Sequence, residues 1–108
     1  MDVKILFVED DERLRDVLLE AAAMEEYEAR GVSNAEAAVE LLRAEPFDVL
    51  VTDVTLPGMS GLELLQRLRT SLNDIPVILV SAHANGYNTF LWVGVIFFGR
   101  MLPYIGSE

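Results

Sequence analysis

Short apolar runs alternate with segments of helical periodicity along most of this chain, and the alternation restricts the possible folds. The runs are too short for helices and each is predicted to form a strand. Amphipathic segments separate them, so the predicted order is β-α-β-α-β-α-β. That order indicates an α/β fold with a parallel sheet and helices on both faces. The four apolar runs are Val3 to Val8, Tyr27 to Val32, Phe47 to Thr52 and Ile75 to Ser81.

Polar residues indicate where the helices begin. Ser33 and Glu36 have the spacing of a capping box, in which an N-cap hydroxyl and an acidic side chain bond each other's backbone. Ser60 and Glu63 repeat that spacing. An earlier helix is predicted from about Asp11 to Glu26, with its apolar positions at helical spacing. The residues predicted to point inward from the first and third helices are Leu14, Val17, Leu18, Ala21, Leu62, Leu65 and Leu68.

Length and composition exclude several classes of protein. The chain has 108 residues and no cysteine, which predicts one domain without disulfides or thiolate metal sites. The net charge of −10 opposes direct binding to nucleic acid. The longest apolar run, Phe90 to Phe98, is far shorter than the roughly 20 residues of a membrane helix. No secretory signal begins the sequence, so a cytoplasmic location without membrane contact is expected.

Carboxylates occur where predicted strands end. Glu9 and Asp10 follow the first strand, Asp53 follows the third, and Ser81 ends the fourth. Ligands of open parallel sheets bind at this carboxyl edge. If the first and third strands are neighbours, the three carboxylates meet at this edge. They then repel one another unless a cation joins them, and oxygen ligands favour Mg²⁺. Asp53 is then a candidate nucleophile that takes phosphate as an acyl phosphate. The alternative is that such acids merely cap helices, which is the role expected of Asp11.

Three motifs that carry these residues occur together and in order. They are FVEDD at 7–11, VTDVTLPGMSG at 51–61 and ILVSAHA at 78–84. Over residues 3–84 the sequence resembles the receiver domain of two-component response regulators. The resemblance implies a doubly wound, flavodoxin-like fold with strand order 2-1-3-4-5. It also implies a signalling domain rather than an enzyme, capable at most of its own phosphorylation and dephosphorylation.

The resemblance implies a role for each residue of the site. Asp53 matches the phosphoacceptor, which receives phosphate from a sensor histidine kinase or a phosphotransfer protein. Asp10 matches a direct Mg²⁺ ligand, and Glu9 matches the acid that binds the ion through water. Thr55 matches the residue whose backbone carbonyl binds the metal. Ser81 matches the hydroxyl switch residue. Pro57 and Gly58 match the turn that leaves room beside the acceptor.

The C-terminal part departs from the receiver pattern. Receivers carry a lysine at the end of the fifth strand, and the only lysine here, Lys4, begins the first strand. The matching place falls at Met101 to Pro103, with Arg100 nearby as a weak substitute. Phe98 is the best match to the aromatic switch residue. A fifth helix is missing from the sequence, and the fifth strand is expected to be irregular.

Residues 85–108 form a divergent apolar tail within the single domain 1–108. They hold six of the nine aromatic residues and only two charged ones, Arg100 and Glu108. A short helix from Tyr87 to Val93 and a short strand from Val95 to Phe98 are predicted. Contiguous apolar surface of this kind promotes association. We therefore expect a homodimer or a larger oligomer formed through the tail.

Two functions remain open from the sequence. The first is a phosphoacceptor receiver that works with Mg²⁺ in a phosphorelay. The second is a receiver-like binding or oligomerisation module whose phosphorylation is impaired by the missing lysine. An aspartate-nucleophile phosphatase is disfavoured, because that chemistry needs a second acid at the position of Thr55.

Overall fold

The computed structural model describes residues 2–84 and 91–98, with the backbone alone over 81–84 and 91–98. These residues form one sheet and three helices. No helix among them is both long and apolar enough to cross a bilayer. The elements in chain order are β1 (Lys4–Val8), α1 (Glu12–Met24), β2 (Glu28–Val32), α2 (Ala35–Ala44), β3 (Val49–Asp53), α3 (Gly61–Thr70), β4 (Val77–Ala84) and β5 (Leu91–Phe98).

The sheet has the strand order β2-β1-β3-β4-β5. Its first four strands are parallel, and a helix connects each one to the next along the chain. The order reverses at β1, which lies between β2 and β3. This arrangement confirms the predicted doubly wound α/β fold and its strand order. It also places the ends of β1 and β3 side by side at one edge.

The last strand differs from the expectation. β5 runs antiparallel to β4, with Val77 opposite Phe98 and Ala84 opposite Leu91. Only residues 85–90 separate the two strands. A parallel connection needs a crossover of about a dozen residues or more, so this short segment permits only a hairpin. The helix predicted from Tyr87 is wrong over its last part, because β5 already begins at Leu91. The aromatic and β-branched residues of this run favour a strand.

The main core lies between the sheet and the pair α2 and α3. Alternate residues of the inner strands point to this side, as the register of Leu6 with Leu50 shows. The opposite face carries α1, whose Arg15 and Leu19 side chains lie against Gly31 of β2. Both faces of β1 are therefore covered, as expected for a parallel strand. The described residues with no exposed surface are Leu6, Ala35, Ala38, Leu50, Leu64, Val77 and Leu79.

The first helix buries less than its periodicity predicts. Leu14 and Val17 are exposed, and Ala22 is the buried residue of α1. The helix packs mainly on the strands β1 and β2 beneath it, and its outward side is exposed. The helix forms as the amphipathic pattern predicts, but Leu14 and Val17 on its apolar face have no described neighbour that buries them.

Helix capping follows the sequence at two of three sites. Asp11 caps α1 by accepting bonds from two backbone N–H groups, as expected. Ser60 and Glu63 form the predicted capping box at the start of α3. The capping box predicted at Ser33 is wrong, because Asn34 is the N-cap of α2 and accepts from the Ala37 N–H at 2.8 Å. Asparagine and serine cap helices about equally well, so the sequence could not choose between neighbours.

The inward face of α3 is shifted relative to the prediction. Leu65 and Leu68 are buried as expected, but Leu62 is 46% exposed and Leu64 is fully buried instead. The buried positions of α3 are Gly61, Leu64, Leu65 and Leu68, which have the spacing of one helix face, and Leu62 lies outside that face.

These two leucines provide a matched test of the core. We expect Leu64→Ala to lower the free energy of unfolding by about 2–5 kcal/mol, because it leaves a cavity under α3. Leu62→Ala should cost less than about 1 kcal/mol, since its side chain is half exposed. Urea denaturation of both variants measures the difference. Equal losses for the two variants would contradict the packing described here.

Candidate functional site

The parallel pairing of β1 with β3 creates the site. Val8, the last residue of β1, lies opposite Thr52, so the residues that follow each strand meet at the same edge. Glu9 continues the sheet by donating its N–H to the Val32 carbonyl at 3.0 Å. Asp53 is the last residue of β3. Asp53 is more than forty positions away from Glu9 and Asp10 in sequence, and the strand pairing brings the three acids together.

Three carboxylates converge at this edge. One carboxylate oxygen from each of Glu9, Asp10 and Asp53 lies within 4.8 Å of the other two. Glu9 is only 7% exposed, Asp53 is partly buried and Asp10 is exposed. The structure confirms that these acids are neighbours. We refer to Glu9, Asp10 and Asp53 together as the acidic pocket.

The electrostatics of the acidic pocket are unfavourable without a cation. Burial raises the pKa of the Glu9 carboxyl above its ordinary value, and the negative charges of Asp53 and Asp10 add to the rise. The Asp11 N–H opposes it by donating to Glu9 Oε2 at 3.0 Å. A proton or a metal ion at this position would relieve the repulsion.

The acidic pocket has the chemistry of a site for a hard divalent cation. It offers carboxylate oxygens within a span that one ion can bridge, and it opens to solvent at Asp10. Mg²⁺ is typically held by one or two carboxylates together with water and carbonyl oxygens. The residues present therefore fit Mg²⁺. Softer metals are disfavoured by the absence of sulfur and imidazole from this cluster.

Asp53 is held by its own backbone surroundings. Its Oδ1 accepts a hydrogen bond from the Thr55 N–H at 3.1 Å. The buried Thr52 hydroxyl donates to the Asp53 carbonyl at 3.0 Å. The carboxylate is therefore oriented by the loop that follows β3, and its second oxygen remains available.

Gly61 is a structural requirement of the site that the sequence analysis did not single out. It begins α3, and its N–H donates to the Val54 carbonyl at 2.9 Å. A Cβ at this position would collide with the Asp53 carbonyl oxygen and would lie 3.1 Å from Val54 Cα. Only glycine lets the helix begin this close to the end of β3. The signal was present in the sequence as a glycine in the first turn, where it weakens a helix unless close approach demands it.

The loop between β3 and α3 contains the expected turn. Gly58 adopts a positive φ of 76°, which a residue with a side chain rarely takes. Pro57 and Gly58 are exposed, whereas Leu56 is buried beneath them. The loop is thus anchored by the buried Leu56 side chain.

Of the three site residues predicted in the C-terminal part, the structure places only one at the edge of the acidic pocket. Ser81 directly follows Val80, the register partner of Asp53, so its backbone lies at the correct edge. Phe98 lies opposite Val77, at the other end of β4, because β5 is antiparallel. The structure therefore does not bring Phe98 beside the acidic pocket. Arg100 lies outside the described residues.

Lys4 lies at the opposite edge of the sheet, as the sequence predicts. Its ammonium group is within 3.5 Å of Glu45 and 3.7 Å of Glu28, and it lies over the Phe47 ring at 4.8 Å. These contacts hold the Lys4 ammonium group at the amino end of β1. It is a structural residue of that edge, far from Asp53.

Comparison with protein families identifies the class of this protein. The family model described as the response regulator receiver domain matches residues 5–92. The match contains the acidic pocket and all four parallel strands. The chain belongs to the response regulator receiver domain family, whose members are signalling domains of two-component systems.

Individual relatives are longer proteins. The response regulator protein FleR of Pseudomonas aeruginosa is 40% identical over 83 residues, which are 77% of this chain and 18% of FleR. The response regulator MprA of Mycobacterium ulcerans is 32% identical over 82 residues, or 76% of this chain and 35% of MprA. The chain therefore spans only a minor part of the length of these relatives.

Solved structures agree with the fold. The Francisella response regulator 1452 receiver domain superposes with a TM-score of 0.73 at 25% identity, covering 79% of this chain and 70% of that one. The response regulator TrrA of Thermotoga maritima, solved in complex with Mg²⁺-BeF, gives a TM-score of 0.70 at 32% identity. That match covers 76% of this chain and 71% of TrrA.

The raised pKa of Glu9 makes a prediction about stability and pH. The folded protein holds the Glu9 proton more tightly than the unfolded chain does, so Glu9 lowers stability as pH rises through its folded pKa. Glu9→Gln removes the charge and keeps an oxygen for the Asp11 N–H. We expect this variant to be more stable than the parent at about pH 8 in the absence of metal, with the difference shrinking toward about pH 4.

Urea denaturation in the presence of a chelator measures this difference at both pH values. The exposed Glu20→Gln is the matched control, because it removes the same charge from α1 outside the acidic pocket. A loss of stability in Glu9→Gln at the higher pH, or a gain that does not change with pH, would contradict the interpretation.

Proposed function

We propose that this chain is a phosphoacceptor domain in which Asp53 receives a phosphoryl group from a phosphorylated histidine. The donor would be a sensor histidine kinase or a histidine phosphotransfer protein. The observation that carries the proposal is the acidic pocket, in which Asp53 lies within reach of Glu9 and Asp10 in a member of the receiver family. The proposal places the receiver-like domain over residues 1–108, with 85–108 as its divergent part.

The chemistry follows from the orientation of Asp53. One carboxylate oxygen attacks the phosphorus, the bond from phosphorus to the donor imidazole breaks, and an acyl phosphate forms. The imidazole nitrogen keeps the electron pair of the broken bond. The Thr55 N–H, at 3.1 Å from Oδ1, restricts rotation of the carboxylate and leaves Oδ2 as the attacking atom. A carboxylate fixed in this way needs little reorganisation before it reacts.

The acidic pocket also offers the ligands for the proposed cofactor, Mg²⁺. Asp10, Asp53 and the Thr55 backbone carbonyl would hold Mg²⁺ directly, and Glu9 would bind it through water. When bound, Mg²⁺ supplies positive charge that offsets the negative charge of the phosphoryl group. The TrrA structure, solved with Mg²⁺-BeF, supports this assignment by similarity. Ser81 is proposed to bond the phosphoryl oxygen, since its backbone follows the register partner of Asp53.

The second candidate function rests on the charges at the site. In the part of the chain that the structure describes, no lysine lies at the carboxyl edge, and Lys4 is engaged elsewhere. Phosphorylation would then be slow, and the chain would act as a receiver-like binding module. The suggestion that Arg100 replaces the lysine, and the switch role of Phe98, stay predictions. A cytoplasmic location and the absence of nucleic-acid binding also stay predictions.

Substitution of Asp53 tests the first function. We expect intact protein incubated with Mg²⁺ and acetyl phosphate to gain the mass of one phosphoryl group, and Asp53→Asn to gain none. Asp48→Asn is the matched control, because Asp48 lies just before the same strand at the opposite edge. Labelling that persists in Asp53→Asn places the phosphate elsewhere. A parent protein that binds Mg²⁺ but is not labelled favours the binding module.

We further propose that the chain forms a homodimer through its C-terminal segment. β5 ends the described sheet and pairs on one side with β4. Its sequence, LWVGVIFF, contains no charge and no proline, which are the residues that normally protect an edge strand. In a chain with a net charge of −10, this uncharged segment is where two copies approach with least repulsion.

Light scattering at high protein concentration tests the dimer. We expect a mass of twice 12.0 kDa for the parent and a shift toward the monomer in Val95→Lys, which introduces a charge into the edge strand. Leu72→Lys changes charge equally at a position that is 90% exposed. A monomeric parent, or equal effects of the two variants, would refute the proposed interface.

A further inference from the structure

One side chain of α1, that of Arg15, contacts the backbone of the acidic pocket. Arg15 Nη1 donates a hydrogen bond to the Glu9 backbone carbonyl at 2.8 Å. The bond is partly buried and joins the first helix to the residue that follows β1. Because the donor is charged, this is a strong type of hydrogen bond. Arg15 therefore acts on the backbone of Glu9, while the carboxylate of Glu9 faces Asp10 and Asp53.

Gly31 leaves the space that the methylene groups of Arg15 fill; we call this space the seat. A Cβ built on Gly31 would lie 3.0 Å from Arg15 Cγ and 3.1 Å from Arg15 Cδ, which is closer than ordinary packing allows. The absence of a side chain at this position of β2 leaves a trough across the strand. The methylene groups of Arg15 occupy the trough, and the guanidinium group emerges beside Glu9.

The Glu9 residue is consequently fixed at three points. Its N–H donates to the Val32 carbonyl at 3.0 Å, its carbonyl accepts from Arg15, and its carboxylate accepts from the Asp11 N–H. Two of these bonds are internal to the sheet and the loop. The bond from Arg15 joins Glu9 itself to the helix packed over β2, in addition to the Asp11 cap.

We infer that Arg15 is a positioning residue for the acidic pocket and that Gly31 exists to seat it. The inference rests on the proposed binding of Mg²⁺ by this pocket. Loss of the Arg15 bond frees the Glu9 peptide to rotate, which moves the Glu9 and Asp10 carboxylates relative to Asp53. Residues that orient metal ligands through one hydrogen bond typically change metal affinity by about 10–100-fold when they are removed.

The competing explanation is that Arg15 acts only through its charge. Arg13 distinguishes the two, because it lies two positions away in the same turn of α1 and is exposed. Arg13→Met and Arg15→Met remove the same charge near the pocket, but only the second removes the bond to Glu9. Methionine also keeps an unbranched stem, so packing over Gly31 changes little.

Titration calorimetry with Mg²⁺ on the whole chain, freed of metal by a chelator, is the primary test. We expect the dissociation constant for Mg²⁺ to rise about 10-fold in Arg15→Met and less than about 2-fold in Arg13→Met. Arg15→Lys should not restore affinity fully, because an ammonium group is shorter and differently shaped than a guanidinium. Equal effects of Arg13→Met and Arg15→Met, or full rescue by lysine, overturn the positioning role.

A double-mutant cycle tests the seat. We expect Gly31→Val to weaken Mg²⁺ binding in the parent, where the new side chain displaces the Arg15 stem. In the Arg15→Met background the shorter, uncharged side chain has no bond to lose, so Gly31→Val should change the affinity much less. Equal effects in both backgrounds would show that the strand itself, and not the arginine, responds to the substitution.

Two further measurements separate this inference from the proposed function. Circular dichroism without metal establishes that each variant is folded at the temperature of the titration. If the parent binds no Mg²⁺, the proposed cofactor is wrong. If the parent binds Mg²⁺ and Arg15→Met binds it equally well, only the role of Arg15 is wrong.

Discussion

The mutual repulsion of three carboxylates is the interaction on which the site depends. Glu9, Asp10 and Asp53 are within 4.8 Å of one another, and burial together with the neighbouring charges raises the pKa of Glu9. A free chain would separate these groups, so the fold must hold them together. The parallel pairing of β1 and β3 does so, and a ladder of backbone hydrogen bonds maintains that pairing. The stored repulsion is what makes the pocket receptive to a cation.

The scaffold around this pocket is well buried on the side of β1, β3 and α3. Fully buried leucines on both inner strands pack against α2 and α3, and Gly61 lets α3 begin in contact with the backbone of Asp53. The side covered by α1 buries fewer residues. There, α1 covers β1 and β2 with few buried residues, and its hold on the acidic loop depends on the Asp11 cap and on Arg15. The same helix thus contributes little to the core and much to the geometry of the carboxylates.

The antiparallel β5 changes how a signal could leave the site. In a parallel sheet the end of the last strand would lie beside Asp53, and a residue there would respond to phosphate. The hairpin instead brings Leu91 near that edge and carries Phe98 to the amino end of β4. The uncharged strand becomes the border of the described sheet.

Periodicity and capping residues were enough to predict the alternating strands and helices. The strand order came from the resemblance that the three motifs carry, and the meeting of Asp53 with Glu9 and Asp10 followed from that order and from the rule that parallel strands end at a common edge. The direction of β5, the burial of Leu64 in place of Leu62, the cap at Asn34, and the parts played by Gly61 and Arg15 were decided only in the tertiary structure. The cap at Asn34 is a choice between two neighbouring residues that both cap helices well. The other features depend on segments that are remote in sequence: a strand paired back along β4, a helix that begins against the end of β3, and a side chain lying in the space left by a glycine.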